Sequence, residues 1–377
     1  MKYITEGNTK LKIPEDATIS KKDKIFYNPI MEVNRDISVS IVQSFLNKYD
    51  RDEFFICDPL GGSGARGLRY ANELEMNSGA PHITIGDINP NAIKLAQANV
   101  ELNKLNNVNI VHKDANVLLS ENFRKFNVVD IDPFGAPAPY LDSAIRSIIT
   151  KNGILCMTAT DTAVLYGSYR KTCIRNYDAT PLKGNKELAI RLLVGYAIRM
   201  ASKYDIGLKP IFSHFTAHYV RTFLITERGA KKADEAVDKL GYVKNVEEEY
   251  IIKSRKEGNS DGFCGLYYLD NLTDENITKD AIKIAEERNY SKESIKVMKT
   301  VFEESLINIV GCFDVHKICK NIKKKVPPID ILMNELTEIG FKVCRTHHNP
   351  HSIKSDAKLI DIVEFIYKYN ENIVNRQ

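Results

Sequence analysis

The 377-residue chain is 43% apolar and 27% charged, with a formal charge of +4. That balance reads as a soluble globular protein, and the length exceeds what one hydrophobic core usually organises, so two domains are expected. Apolar runs only a few residues long and an N-terminus without an apolar signal region argue against membrane insertion and secretion, pointing to the cytoplasm. Seven scattered cysteines form no C-x-x-C pair, which disfavours disulfides and a cysteine zinc site. Basic and acidic side chains nearly balance on either side of residue 227, so any phosphate-binding surface must be local.

In chain order, a helix-patterned segment, VNRDISVSIVQSFLNKY, covers residues 33–49 and is followed by the apolar strand EFFICDPL at 53–60. The glycine turn GGSGARG leads into the helical LRYANELEMN, then the strand HITIGDIN at 82–89 and the helical NPNAIKLAQANVELNK. Asn89 suits an N-cap and Pro90 the first helical position. NVNIVHKDA, KFNVVDIDPFGA and NGILCMTAT read as further strands, with helical PYLDSAIRSIITK before the last. A long helix and a strand pair in LKPIFSHFTAHYVRTFLITE close the first domain near residue 227. Strands alternating with helices predict a parallel sheet covered on both faces, whose ligands sit beyond the strands' carboxyl ends. Residues 228–377 read as a second, α+β domain.

Two segments concentrate positive charge. Residues 170–191 carry Arg170, Lys171, Arg175, Lys183, Lys186 and Arg191, with Tyr169 and Tyr177 nearby; residues 316–325 carry five lysines, including Lys323, Lys324 and Lys325, and no acid. A solvated helix face is the ordinary use of such runs, and phosphate contacts require a catalytic context beside them.

Gly62, Gly64 and Gly67 match G-x-G-x-x-G, which admits a nicotinamide dinucleotide. The acids at the strand ends point elsewhere. Asp58 precedes the glycine turn, where a carboxylate can accept from an ammonium group or a loop amide but offers nothing to a pyrophosphate. Asp87 can accept from both hydroxyls of a ribose, and Asp114 and Ala115 fall where adenine would then lie. Acids ending three successive strands describe a nucleoside without phosphate, such as S-adenosylmethionine. Arg66 from the glycine loop and Arg35 from the preceding helix are candidates for holding its carboxylate.

The DIDPFGA segment then suggests the methyl acceptor. An exocyclic amine on a nucleobase is a poor nucleophile and must be held by acceptors that also remove its proton. Asp132 supplies a carboxylate, the Pro133 carbonyl a second acceptor, and Phe134 a ring that can stack on the base. Asp130 is expected to point away from Asp132 and is assigned to structure.

These residues, with FYNPIMEVNRD, DPLGGSGARGLRY, GDINPNA, HYVRTF, FDVHKICK and RTHHNPHSIKSDA, make the sequence resemble the tRNA (guanine-N2)-dimethyltransferases that act at position 26. The resemblance implies a Rossmann-like class I methyltransferase domain with a mostly parallel seven-stranded sheet over residues 1–227, including an N-terminal extension over 1–50. It further implies a smaller α+β tRNA-binding domain over 228–377. Onto matching positions it carries Arg35, Arg66, Asp87, Asp114 and Ala115 as cofactor contacts, Asp132 as the catalytic acid, and Phe134 and Phe26 as residues flanking the base. The basic residues of 170–191 then lie near the acceptor side.

Some relatives have paired C-terminal cysteines resembling a zinc site, whereas here that region retains only Cys264. No metal is expected, and His347, His348 and His351 are read as exposed or RNA-contacting because their spacing lacks an obvious fourth ligand. Methylation of adenine N6 or cytosine N4, and a catalytically silent tRNA-binding protein, are the rival readings. A monomer is the favoured oligomeric state.

Overall fold

A computed structural model describes residues 1–15, 27–49 and 51–374 of the chain. It opens with an antiparallel hairpin of β1 (Lys2–Glu6) and β2 (Thr9–Ile13), followed by α1 (Glu32–Lys48). The doubly wound core comprises β3 (Phe55–Asp58), α2 (Ala65–Glu73), β4 (His82–Asp87), α3 (Pro90–Leu102), β5 (Val108–His112), α4 (Ala115–Glu121), β6 (Val128–Ile131), α5 (Ala138–Ser147) and β7 (Ile154–Ala159). After α6 (Thr162–Leu165), α7 (Arg170–Tyr177) and α8 (Lys186–Ser202), the long strands β8 (Ile206–Thr216) and β9 (Tyr219–Arg228) complete the sheet.

Among the described residues the sheet has seven strands in the order β5-β4-β3-β6-β7-β9-β8. The first five run parallel, and β9 inserts antiparallel between β7 and β8. Chain order reverses between β3 and β6, which opens the crevice where such sheets bind ligands. The central strand β6 is buried at every position, as a strand covered on both faces requires.

Local chemistry fixes the elements around that crevice. Asn89 caps α3 by accepting from the Asn91 amide at 2.9 Å, with Pro90 in the first turn. Asn99 of α3 accepts from Lys12 N and donates to Lys12 O, pinning the N-terminal hairpin to the helix. Helix α1 is buried along most of its length, polar residues included. Its Asp36 receives Arg69 at 2.6 Å and the Ser291 amide at 3.1 Å.

Beyond the sheet, α9 (Ala230–Asp238) leads to a three-stranded antiparallel sheet of β10 (Leu240–Val246), β11 (Glu249–Ser254) and β12 (Cys264–Tyr268). Helices α10 (Glu275–Glu287) and α11 (Lys292–Ser305) follow. Apolar side chains from these elements, including Leu240, Tyr267, Ile277 and Met298, belong to the two clusters flanking the seven-stranded sheet. A third cluster gathers Phe313, Val315, Leu332, Ile353 and Ile366. It is built from β13 (Phe313–Asp314), α12 (Val315–Asn321), α13 (Ile329–Ile339), β14 (Val343–Arg345), β15 (Ser352–Ser355) and α14 (Leu359–Val374). Among the described residues, no helix is long and apolar enough to cross a membrane.

Gly67 shows how tightly α2 lies on the sheet: an added Cβ would meet Ile85 Cγ1 at 2.5 Å and Cδ1 at 2.6 Å. The Gly67→Ala variant is expected to lose about 1–3 kcal/mol through overpacking, measured by denaturant unfolding against the parent chain.

Candidate active site

The carboxyl ends of β3, β4 and β6 converge around the glycine loop. Gly62 and Gly64 adopt positive φ of 54° and 80°, and Gly64 forms the N-cap of α2. The Gly62 amide donates to Asp87 Oδ2 at 2.8 Å, while Asp87 Oδ1 accepts from the Asn89 amide at 2.8 Å. Asp87 thus ties the glycine loop to the end of β4. Asp58 accepts from the Gly67 amide at 3.2 Å, the loop-amide role anticipated for it. Burial and the neighbouring Asp130 charge raise its carboxyl from 3.8 to about 7 against the pull of Arg66.

After β5, Asp114 is the N-cap of α4, accepting from the Asn116 and Val117 amides at 2.9 and 3.2 Å. Ala115 is the buried first residue of that helix. The structure therefore shows a capping role for Asp114, with Ala115 packed beneath it.

Asp132 emerges directly from β6 and is paired with Arg66 Nη2; its side chain is 21% exposed. The other end of the Arg66 guanidinium donates to Asn34 Oδ1 at 2.9 Å and Ser38 Oγ at 3.0 Å, so α1 and α2 together aim it. Asp130 also reaches Arg66, with Oδ2 at 3.7 Å from Nη1. This corrects the expectation that the two acids diverge: residues two apart on a strand share a face.

Asp130 is fully buried and gripped by both terminal nitrogens of Arg221 at 2.6 Å, with Tyr70 donating at 2.7 Å. Burial alone would raise its pKa, but Arg221 and Arg66 overcome that and hold it at about 2. Arg221 also donates to Thr158 Oγ1 and Ser38 Oγ. Sequence reasoning quoted HYVRTF but gave Arg221 no role, although an arginine midway along an apolar strand signals a buried acidic partner.

Pro133 is buried and Phe134 is 45% exposed. Gly135, at φ +94°, donates to Thr160 Oγ1 at 2.7 Å and accepts from the Thr160 amide at 3.0 Å, fastening the loop to the end of β7.

Other anticipated residues lie apart from these contacts. Arg35 is bound bidentately by Glu6 of β1 at 2.6 Å and donates to Asn28 O at 3.1 Å, so its observed partners are the hairpin and the segment entering α1. Phe26 lies outside the described residues. Arg170, Lys171 and Arg175 are exposed on α7 beside exposed Tyr169. Lys323 and Lys325 are exposed after α12, while the Lys324 ammonium lies 4.7 Å from the centroid of the Tyr367 ring. His351 is exposed, whereas His348 is buried and His347 is half-buried with its side chain only 3% exposed; His347 Nδ1 pairs with Glu304 at 2.7 Å, and its Nε2 accepts from the Phe215 amide at 3.0 Å.

A doubly wound sheet whose strand-end carboxylates organise the glycine loop, joined to an Asp-Pro-Phe-Gly loop at the end of β6, defines a methyltransferase. The chain belongs to the N2,N2-dimethylguanosine tRNA methyltransferase family, matching it over residues 7–367. It is 93% identical over 374 residues to a tRNA (guanine(26)-N(2))-dimethyltransferase of Methanococcus aeolicus, covering 99% of this chain and 100% of the relative. The enzyme of that name from Methanocaldococcus jannaschii is 50% identical over 368 residues, covering 97% and 98%. Trm1 from Pyrococcus horikoshii, solved with S-adenosyl-L-methionine, superposes with a TM-score of 0.87 at 32% identity over 97% of this chain and 100% of its own.

The raised Asp58 pKa has a direct consequence. Between about pH 4 and 7 the carboxyl stays protonated in the folded chain but ionises in the unfolded one, so its stabilising contribution falls as pH rises. Asp58→Asn is expected to flatten that part of the stability–pH curve, read from denaturation midpoints at stepped pH.

Proposed function

We propose that the chain transfers one or two methyl groups from S-adenosylmethionine to the exocyclic N2 of guanine 26 in tRNA. The observation that carries this reading is Asp132, delivered by β6 into the crevice, oriented by Arg66 and flanked by the exposed Phe134 ring. The donor set fits a phosphate-free nucleoside, because the Gly62 amide is already committed to the Asp87 carboxylate. Asp58, Asp87, the Gly62–Gly64 turn and the Asp114–Ala115 corner are the residues that would hold the cofactor, with Asp58 meeting its ammonium group. When bound, S-adenosylmethionine supplies an electrophilic methyl on its sulfonium.

The remaining chemistry belongs to the chain. Phe134 stacks on the guanine, and the Pro133 carbonyl and Asp132 carboxylate accept from the N2 hydrogens, drawing the nitrogen lone pair out of conjugation with the ring. As the new N–C bond forms, Asp132 takes the N2 proton. Arg66 holds the carboxylate in place throughout, fixed in turn by Asn34 and Ser38. No step assigned to these residues calls on a metal ion. Because guanine 26 lies within the folded tRNA, its nucleotide must be exposed before reaction.

The basic face of α7 and the Lys323–Lys325 run supply phosphate contacts, with residues 228–377 helping to hold the tRNA. The same reading places the chain in the cytoplasm as a monomer.

Asp132→Ala is expected to lower single-turnover methylation of an unmodified tRNA transcript by roughly two to four powers of ten. Labelled cofactor followed by nucleoside mapping identifies the acceptor; methylated adenine or cytosine in place of N2-methylguanine would overturn the reading. Lys323→Ala with Lys325→Ala is expected to weaken tRNA binding and reduce the slope of log affinity against log salt by about 2, measured by filter binding across a salt series.

A further inference from the structure

Glu187 lies in the first turn of α8, Cys312 immediately before β13, and His348 in the loop between β14 and β15. The fold brings one ligand atom from each within 4.8 Å of the others, and all three residues are buried. His348 is 7% exposed, yet neither ring nitrogen has a hydrogen-bond partner among the described residues. A buried imidazole without a partner is costly, and its position beside a thiol and a carboxylate calls for a ligand shared by all three.

We propose that Glu187, Cys312 and His348 bind one Zn²⁺, or another thiophilic divalent ion, that fastens the C-terminal elements to the methyltransferase sheet. Sulfur, imidazole nitrogen and carboxylate oxygen are a zinc donor set, and three protein ligands leave a fourth position for water. The surroundings hold the ligands in place. Lys186 Nζ donates to His348 O at 2.9 Å, fixing the histidine's loop. Glu187 Oε1 accepts from Arg191 Nε at 2.7 Å and the Gly311 amide at 3.1 Å, while Oε2 accepts from Lys354 at 2.9 Å and keeps a second lone pair. Cys312 Sγ accepts from the Asn185 side-chain amide at 3.7 Å.

Arg191 and Lys354 already more than neutralise Glu187, so the new negative charge that an incoming cation needs comes from Cys312, whose thiol proton passes to solvent as the metal–sulfur bond forms. That requirement selects a thiophilic ion over Mg²⁺ or Ca²⁺. The spacing of His347, His348 and His351 pointed away from a metal because the other ligands come from distant segments.

The test uses the full-length chain, stripped with chelator, loaded separately with Zn²⁺, Co²⁺ or Mg²⁺ and passed through gel filtration. Expected are one retained Zn²⁺ per chain by elemental analysis, no retained Mg²⁺, and a thiolate-to-cobalt charge-transfer band with Co²⁺. Cys312→Ser and His348→Gln should lose the stoichiometric metal, while Cys264→Ser keeps it. Failure to retain Zn²⁺, or unchanged retention in both site variants, overturns the proposal. Should those variants not fold, the cobalt spectrum of the parent chain and the Cys264→Ser variant decides: a band common to both supports the site, and its absence from the parent refutes it.

Discussion

The buried pairing of Asp130 with Arg221 is the constraint on which the active-site geometry rests. Two charges withdrawn from water are tolerable only when their hydrogen bonds are closely met, and here both carboxylate oxygens face both terminal guanidinium nitrogens at 2.6 Å. Tyr70, Thr158 and Ser38 complete the shell from α2, β7 and α1. The pair joins strands on either side of β7, because Asp130 is on β6 and Arg221 on β9. Arg66 extends this lattice outward, one nitrogen near Asp130 and another on Asp132. Asp132 is thereby the more exposed end of a charge network whose other end is locked in the core.

This arrangement explains why a long helix with a largely polar buried face precedes the first core strand. The contacts of Asn34, Arg35, Asp36 and Ser38 of α1 together span the N-terminal hairpin, α2, α11 and the centre of the sheet. Low dielectric strengthens each of these contacts and penalises any left unmade, so the helix has little freedom of rotation or register. Side chains with high intrinsic mobility become a rigid mounting for Asp132.

Much of the fold was legible in the chain. Alternating strand and helix patterns located β3 to β7, and the residues around Asn89 and Pro90 read correctly as a helix start. Local periodicity and capping chemistry carry that information. Partnerships between distant residues were not legible in the same way. Arg35 looked available for an anionic ligand because nothing nearby announced Glu6, and the roles of Arg221 and Asp130 depend on pairings between separated strands. His347 and His348 looked like surface residues because polar spacing says nothing of the α8 and α11 side chains that enclose them. The change in character after residue 227 was visible as composition, whereas the sharing of apolar clusters by residues up to Val310 requires tertiary packing.

The double hydrogen bond between Gly135 and Thr160 gives the Asp-Pro-Phe-Gly loop a mechanical neighbour. Thr160 ends β7's reach and the chain then turns through α6 into the cationic helix α7. The Phe134 ring and that helix consequently hang from a common anchor, joined by short tethers. A displacement of α7 is passed through residues 161–169 to the Thr160–Gly135 bonds, and so to the loop that carries Phe134, making the helix and the ring parts of one lever.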